Sequence, residues 1–112
     1  MEGAIFDTTD PATPAKLEQA KKIFDGLQHG TIDRSLFTDN ANAYFSDQAL
    51  KDFTTGLAPL GAPQSFVQVN QGSRGGMTLR VYIVRFAGKA LRAWTYEMPD
   101  GKLEQFQIAP QN

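Results

Sequence analysis

Between Met77 and Ile108 the chain falls into three alternating runs separated by two stretches that suit only turns. The first stretch, Ala87-Gly88, predicts a two-residue hairpin with Phe86 opposite Lys89, because glycine supplies the positive φ such turns need. Counting back pairs Ile83 with Arg92, Val81 with Trp94, Leu79 with Tyr96 and Met77 with Met98. The second, Pro99-Asp100-Gly101, suits a type I turn followed by a glycine bulge. It pairs Met98 with Lys102, Tyr96 with Glu104, Trp94 with Phe106 and Arg92 with Ile108.

These registers place Met77, Leu79, Val81, Ile83, Trp94, Met98, Phe106 and Ile108 on one face. Burying a large apolar side chain is worth ~1.5–3 kcal/mol. A slip of one residue would expose the whole set, so this is the predicted core face. The reverse face sets Tyr82, Val84, Phe86, Leu91 and Leu103 among Arg80, Glu97, Gln105 and Gln107. An apolar centre with a polar fringe predicts association. Its candidate interface residues are Arg80, Tyr82, Val84, Phe86, Leu91, Leu103 and Gln105.

Helices precede this meander. Thr13-Pro14 predicts a helix start, and Leu17, Ala20, Ile23, Phe24 and Leu27 recur at helical spacing up to His29-Gly30. Asp33 and Thr38 are candidate caps of short turns. Ser46 opens a helix through Leu57, with Leu50 and Phe53 on its apolar side. Leu17, Phe24, Leu50 and Phe53 are the expected helix contacts to the sheet. Ala58 to Pro63 ends that helix, and Gln64 to Gln71 alternates as a first strand. Helices followed by about four antiparallel strands predict an α+β fold, with helices on one face of a curved sheet. The expected organisation is a tail or linker at 1–13, one domain at 14–109 and a frayed end at 110–112.

At 112 residues, with 11 basic and 12 acidic side chains, the chain has one core and no basic surplus for a phosphate backbone. Nucleic acid is therefore not an expected partner. No apolar run approaches the ~20 residues of a membrane span. Without cysteine, and with a single histidine, neither disulfides nor a clustered metal site is expected, and no cofactor is implied.

The expected registers bring Tyr96 opposite Glu104 with Arg92 one step along and Trp94 between. In a dry cavity between helices and sheet, a phenol beside a carboxylate can bind or deprotonate a small polar ligand. Arg92, Trp94, Tyr96 and Glu104 are thus pocket candidates; the alternative is an ion pair of Arg92 and Glu104 at an open rim. His29 suits a helix-end cap. The Gly72-Ser73-Arg74-Gly75-Gly76 stretch joins two predicted strands and opens no helix, which suits a connector better than a phosphate loop.

Two stretches carry a resemblance. Ser35-Leu36-Phe37-Thr38 through Ala58-Pro59-Leu60-Gly61, and Arg74-Gly75-Gly76-Met77 through Asp100-Gly101-Lys102-Leu103-Glu104-Gln105, cover about two-thirds of the chain. They resemble a small bacterial domain appended to serine hydrolases of the β-lactamase and penicillin-binding type, within the nuclear transport factor 2-like (cystatin-like cone) superfamily. The resemblance implies a non-catalytic accessory module, often extracytoplasmic, that pairs with a second copy or with its hydrolase domain. No Ser-x-x-Lys of the hydrolase itself occurs here. The superfamily also holds isomerases and dehydratases, which implies the alternative of a small-molecule binder or enzyme using the cone cavity. No motif in this chain fixes positions for their acid–base residues.

Overall fold

The first helix forms where the apolar spacing demands one. The computed structural model describes residues 10–111, and in it α1 spans Thr13–Gln28, with Ala20, Ile23, Phe24 and Leu27 buried. Thr13 is not its cap. Ala12 holds that position without a side-chain bond, and Asp10 does the work from upstream. The Asp10 carboxylate accepts the Ala12 N–H at 2.8 Å, and its carbonyl accepts the Thr13 N–H at 3.1 Å. Of the segment read as a tail, residues 1–9, with Ile5 and Phe6, lie outside the described residues, whereas Asp10 is fixed in place. At the other end Gly30 has φ 81°, and the His29 ring donates to the Asp25 carbonyl at 2.8 Å, as a helix-end cap would.

Short polar side chains start the next elements as expected. Asp33 accepts the Ser35 N–H and opens a 3₁₀ turn, Arg34–Leu36. Thr38 accepts the Ala41 N–H ahead of α2, Asp39–Tyr44, and Ser46 accepts the Ala49 N–H ahead of α3, Asp47–Leu57. Each bond satisfies a helix donor that has no partner within its own helix. Gln28 ties the layer together: its buried amide donates to the carbonyls of Leu57 and Gly61.

The sheet is a meander, curved and unclosed, of β1 (Ser65–Arg74), β2 (Met77–Arg85), β3 (Ala90–Glu97) and β4 (Leu103–Pro110), antiparallel in chain order. The fold is therefore α+β, helices first. Gly75 and Gly76, with φ of 58° and 84°, form a two-residue turn between β1 and β2, so most of the glycine-rich connector is strand. Pro110 belongs to β4, and the Gln111 N–H donates to Ala90, so the expected frayed end is paired up to Gln111; Asn112 is not described.

Both predicted turns form. The Phe86 N–H donates to Lys89, and Ile83, Val81 and Leu79 face Arg92, Trp94 and Tyr96. The Met98 N–H donates to Lys102, and Gly101 has φ 92°. Glu97 pairs with Leu103, and there the expected register ends. Tyr96 pairs with Gln105, not with Glu104, and Thr95 with Phe106. Glu104 is an extra residue, a bulge held by tertiary bonds to Thr38 and Asn40.

That one residue decides which face is which. Phe106 and Ile108 face the helices as expected, but they share this side with Ala93 and Thr95, not with Trp94. The helices therefore cover the face read as the outer one. Tyr82, Val84, Phe86, Leu91, Leu103 and Arg80, expected at an interface, are all buried in one chain; only Gln105 is exposed. Met77, Leu79, Val81 and Trp94, expected in the core, line the open side, and Met98 lies half-buried past the end of β3. The core is an aromatic chain in which Phe24 meets Phe66 edge-on at 5.8 Å and Phe86 at 6.2 Å. Phe66 meets Tyr82 at 5.6 Å, while Phe45 joins Phe37 and Phe53 at 5.2 and 5.9 Å.

Truncation on the two sides separates them. Phe24→Ala is expected to destabilise by ~3–5 kcal/mol, the cost of deleting a fully buried ring. Trp94→Ala, on the open side, is expected to cost less than about half of that. Urea unfolding of both variants measures the difference, and equal losses would mean that the open side is covered.

Candidate functional site

Strand alternation gives the open face its composition. From β1 come Val67, Val69 and Asn70; from β2, Leu79, Val81 and Ile83; from β3, Arg92, Trp94 and Tyr96; from β4, Gln105 and Gln107. A bulge at Val69 turns Asn70 outward opposite Val81 and returns Gln71 to the helix side opposite Arg80. The face grades from aliphatic through aromatic to amide. Val67 is 45% exposed, well above what a buried strand allows. An open cleft of about 620 Å³ lies here, floored by Leu79, Val81, Ile83 and Trp94, with Arg92 and Gln111 among its polar groups.

Arg92 sits over the Trp94 ring at 5.1 Å, a cation–π contact that ties the guanidinium to the floor. It is exposed. Three of the four pocket candidates, Arg92, Trp94 and Tyr96, thus meet in this cleft. The fourth does not. Glu104 lies beside α2, where its carboxylate accepts from the Thr38 hydroxyl at 2.8 Å and from the Asn40 amide at 3.4 Å.

The helix side holds the other polar cluster. Arg80, 4% exposed, donates to Glu97 and, at 3.2 Å, to Asp10, while Lys16 reaches Glu97 at 2.9 Å. Gln71 donates to the same Asp10 carboxylate at 2.7 Å. The Ala12 N–H, then the Gln71 amide and Arg80, hold the Asp10 carboxyl below its ordinary value of 3.8. Burial pushes the nearby Tyr82 phenol up to about 12, so it stays protonated. Sequence reasoning took Arg80 and Glu97 for a wet fringe. The signal missed was their diagonal placement on neighbouring strands, which lets them pair under α1.

No family model, curated protein or solved structure matches this chain. The surface is therefore judged on its own chemistry. A smaller cleft, of about 270 Å³, lies where α1 meets β1, with Lys21 and Asp25 at its lip and Phe24 and Phe66 at its floor. Its one buried polar side chain, Gln28, is already engaged by Leu57 and Gly61. Among the described residues no His, Asp and Glu side chains cluster in threes as metal ligands do, and no helix is long and apolar enough to cross a membrane. Among the described residues the cleft of the open face is larger than the one between α1 and β1, and with Leu79, Val81 and Trp94 in its floor and polar groups at its margin it suits contact with a partner surface that is apolar at its centre.

The Arg80 cluster is testable through stability. Arg80→Met leaves two carboxylates facing each other without their shared cation and is expected to cost ~3–5 kcal/mol. For Asp10 the sign follows from its lowered pKa: its contribution is complete above 3.8 and disappears as pH falls through the lower folded value. Asp10→Asn should therefore be less stable than the parent at neutral pH, and the urea midpoints of the two should converge as pH falls below about 4. Parallel pH profiles would show that Asp10 is not so held.

Proposed function

We propose that this chain is a non-catalytic binding module of the nuclear transport factor 2-like type, and that the open sheet face receives another protein. The single observation that carries the proposal is Trp94 with Val67, Leu79 and Val81 on a sheet face that no element of the described chain covers. A partly exposed tryptophan beside an arginine, in an apolar centre with amides along one edge, has the composition of a protein-binding patch. The helices-then-meander order and the curved sheet support the family reading. The resemblance implies two kinds of occupant, a second copy or a hydrolase domain, and an extracytoplasmic bacterial setting. Both occupants are proteins.

The alternative, a ligand or reaction in the space between helices and sheet, is not supported by a particular observation. That space is filled by Phe24, Phe45, Tyr82, Leu103 and Phe106, each nearly inaccessible to solvent. Tyr96 and Glu104 lie on opposite sides of the sheet's polar edge and do not converge on a common atom.

The test is capture from an extract of the cells that make the protein. The parent chain on a resin is expected to retain a protein that Val81→Asp and Trp94→Ala both lose. A control on the helix layer, Asp47→Lys, should retain it. Thermal unfolding confirms that each variant is folded. Retention by Val81→Asp as strong as by the parent would exclude the open face.

A further inference from the structure

The open face carries charges of one sign. Opposed residues on paired strands share a face, so Arg74 lies with Met77, Arg85 with Ser65, and Arg92 with Ile83. All three arginines are exposed. No carboxylate among the described residues points to this side: Glu97 is turned to Arg80, Glu104 to Thr38, and Asp100 accepts the Lys102 N–H within its turn. The exposed carboxylates gather instead on the helix layer, at Glu18, Asp25, Asp33, Asp39, Asp47 and Asp52.

We infer that the partner is an amphipathic helix whose apolar face is flanked by carboxylates. This rests on the reading that the open face binds protein, and names the chemistry of what it binds. Width supports a helix. A helix is ~10 Å across and strands lie ~4.8 Å apart, so one helix covers the width of two strands, here the Leu79-Val81 row and the Trp94-Tyr96 row. Length supports the charge pattern. From Met77 to Arg85 the strand runs roughly 26 Å at ~3.3 Å per residue. Arg74 stands at one end of that strip and Arg85 with Arg92 at the other. An apolar helix of about 18 residues matches this span, with Glu or Asp near both ends. Carboxylates there meet guanidiniums in two-pronged bonds.

A second copy meeting this face with its own would bring only cations against cations, which costs affinity. Single-stranded nucleic acid would need a run of stacking rings, and the centre of this face is aliphatic.

The probes are two synthetic helices of about 18 residues, one of Leu, Ala and Glu, the other with every Glu replaced by Lys. Trp94 is the only tryptophan and stands in the site, so its emission reports binding directly. The Glu helix is expected to shift that emission and to bind at least about tenfold more tightly than the Lys helix at low salt. In the Arg85→Glu/Arg92→Glu double variant, exposed changes that should leave the fold intact, the preference should reverse. Val81→Asp should lose both.

If the parent binds both helices equally, or prefers the Lys helix, the acidic class is wrong while the binding face stands. If neither helix binds, the inference fails. The face itself falls only if Val81→Asp also changes nothing in the capture experiment. Tighter retention by phosphatidylserine vesicles than by the Glu helix would assign the cations to a lipid surface and overturn the inference. Concentration-dependent self-association that is lost in Arg92→Glu would do so in favour of a second copy.

Discussion

Phe24 against the sheet is the contact on which the rest depends. The meander has two apolar faces, and the described residues supply one helix layer with which to cover them. The hydrophobic effect is non-directional and does not by itself choose between the faces. Shape does. On the covered face β3 presents Ala93 and Thr95, both buried and both small. Their size leaves depth for rings from either flank, and Phe24, Phe45, Tyr82 and Phe86 fill it at packing distances, with Phe106 in the same core. On the other face the same strand presents Trp94 and Tyr96, which leave no such depth for the rings of the helix layer. The large side chains left outside are thus a consequence of where the small ones sit.

The covered face ends in charge. Arg80 is almost wholly buried, and a buried guanidinium is tolerable only when its partners are fixed. Glu97 comes from the neighbouring strand, Asp10 from the residues that lead into α1, and Lys16 from α1 itself. The cluster therefore does more than neutralise. It specifies where the start of α1 lies along the sheet, since any other placement would leave Arg80 without Asp10 and Glu97 without Lys16. Phe24, two to three turns further on, is aimed at Phe66 and Phe86 by the same constraint.

Much of this was legible beforehand. The helix spacing, the caps at Asp33, Thr38 and Ser46, both turns and the whole β2–β3 register follow from local rules, and locally determined features are the ones a sequence displays. The failure came from one residue. Nothing in Leu103-Glu104-Gln105 marks a bulge, because no glycine stands there. What makes one is distant: the Thr38 N–H donates to Leu103 at 3.0 Å, and the Thr38 hydroxyl holds Glu104. The second turn determines where Phe106 lies relative to Trp94 only if β4 runs on without a bulge. Since strand faces alternate with period two, a single inserted residue exchanged the core for the surface. The candidate site suffered the same inversion. Arg92, Trp94 and Tyr96 lie together on the open side and not inside, and Glu104 is separated from them by its own bulge.

The inversion also changes what the polar residues are for. A carboxylate or phenol acts on a substrate only where it converges with other groups in a space that water leaves. In this fold the buried titratable groups, Arg80 and Tyr82, are committed to holding the helix layer, and burial raises the Tyr82 phenol further from neutrality. The polar groups without such a commitment, the arginines and glutamines of the open face, stand around Leu79, Val81 and Trp94. They can orient and select, and the apolar floor can supply affinity. The division follows from the packing: once the helices took the face with the small residues, the groups able to meet another molecule were those suited to recognition.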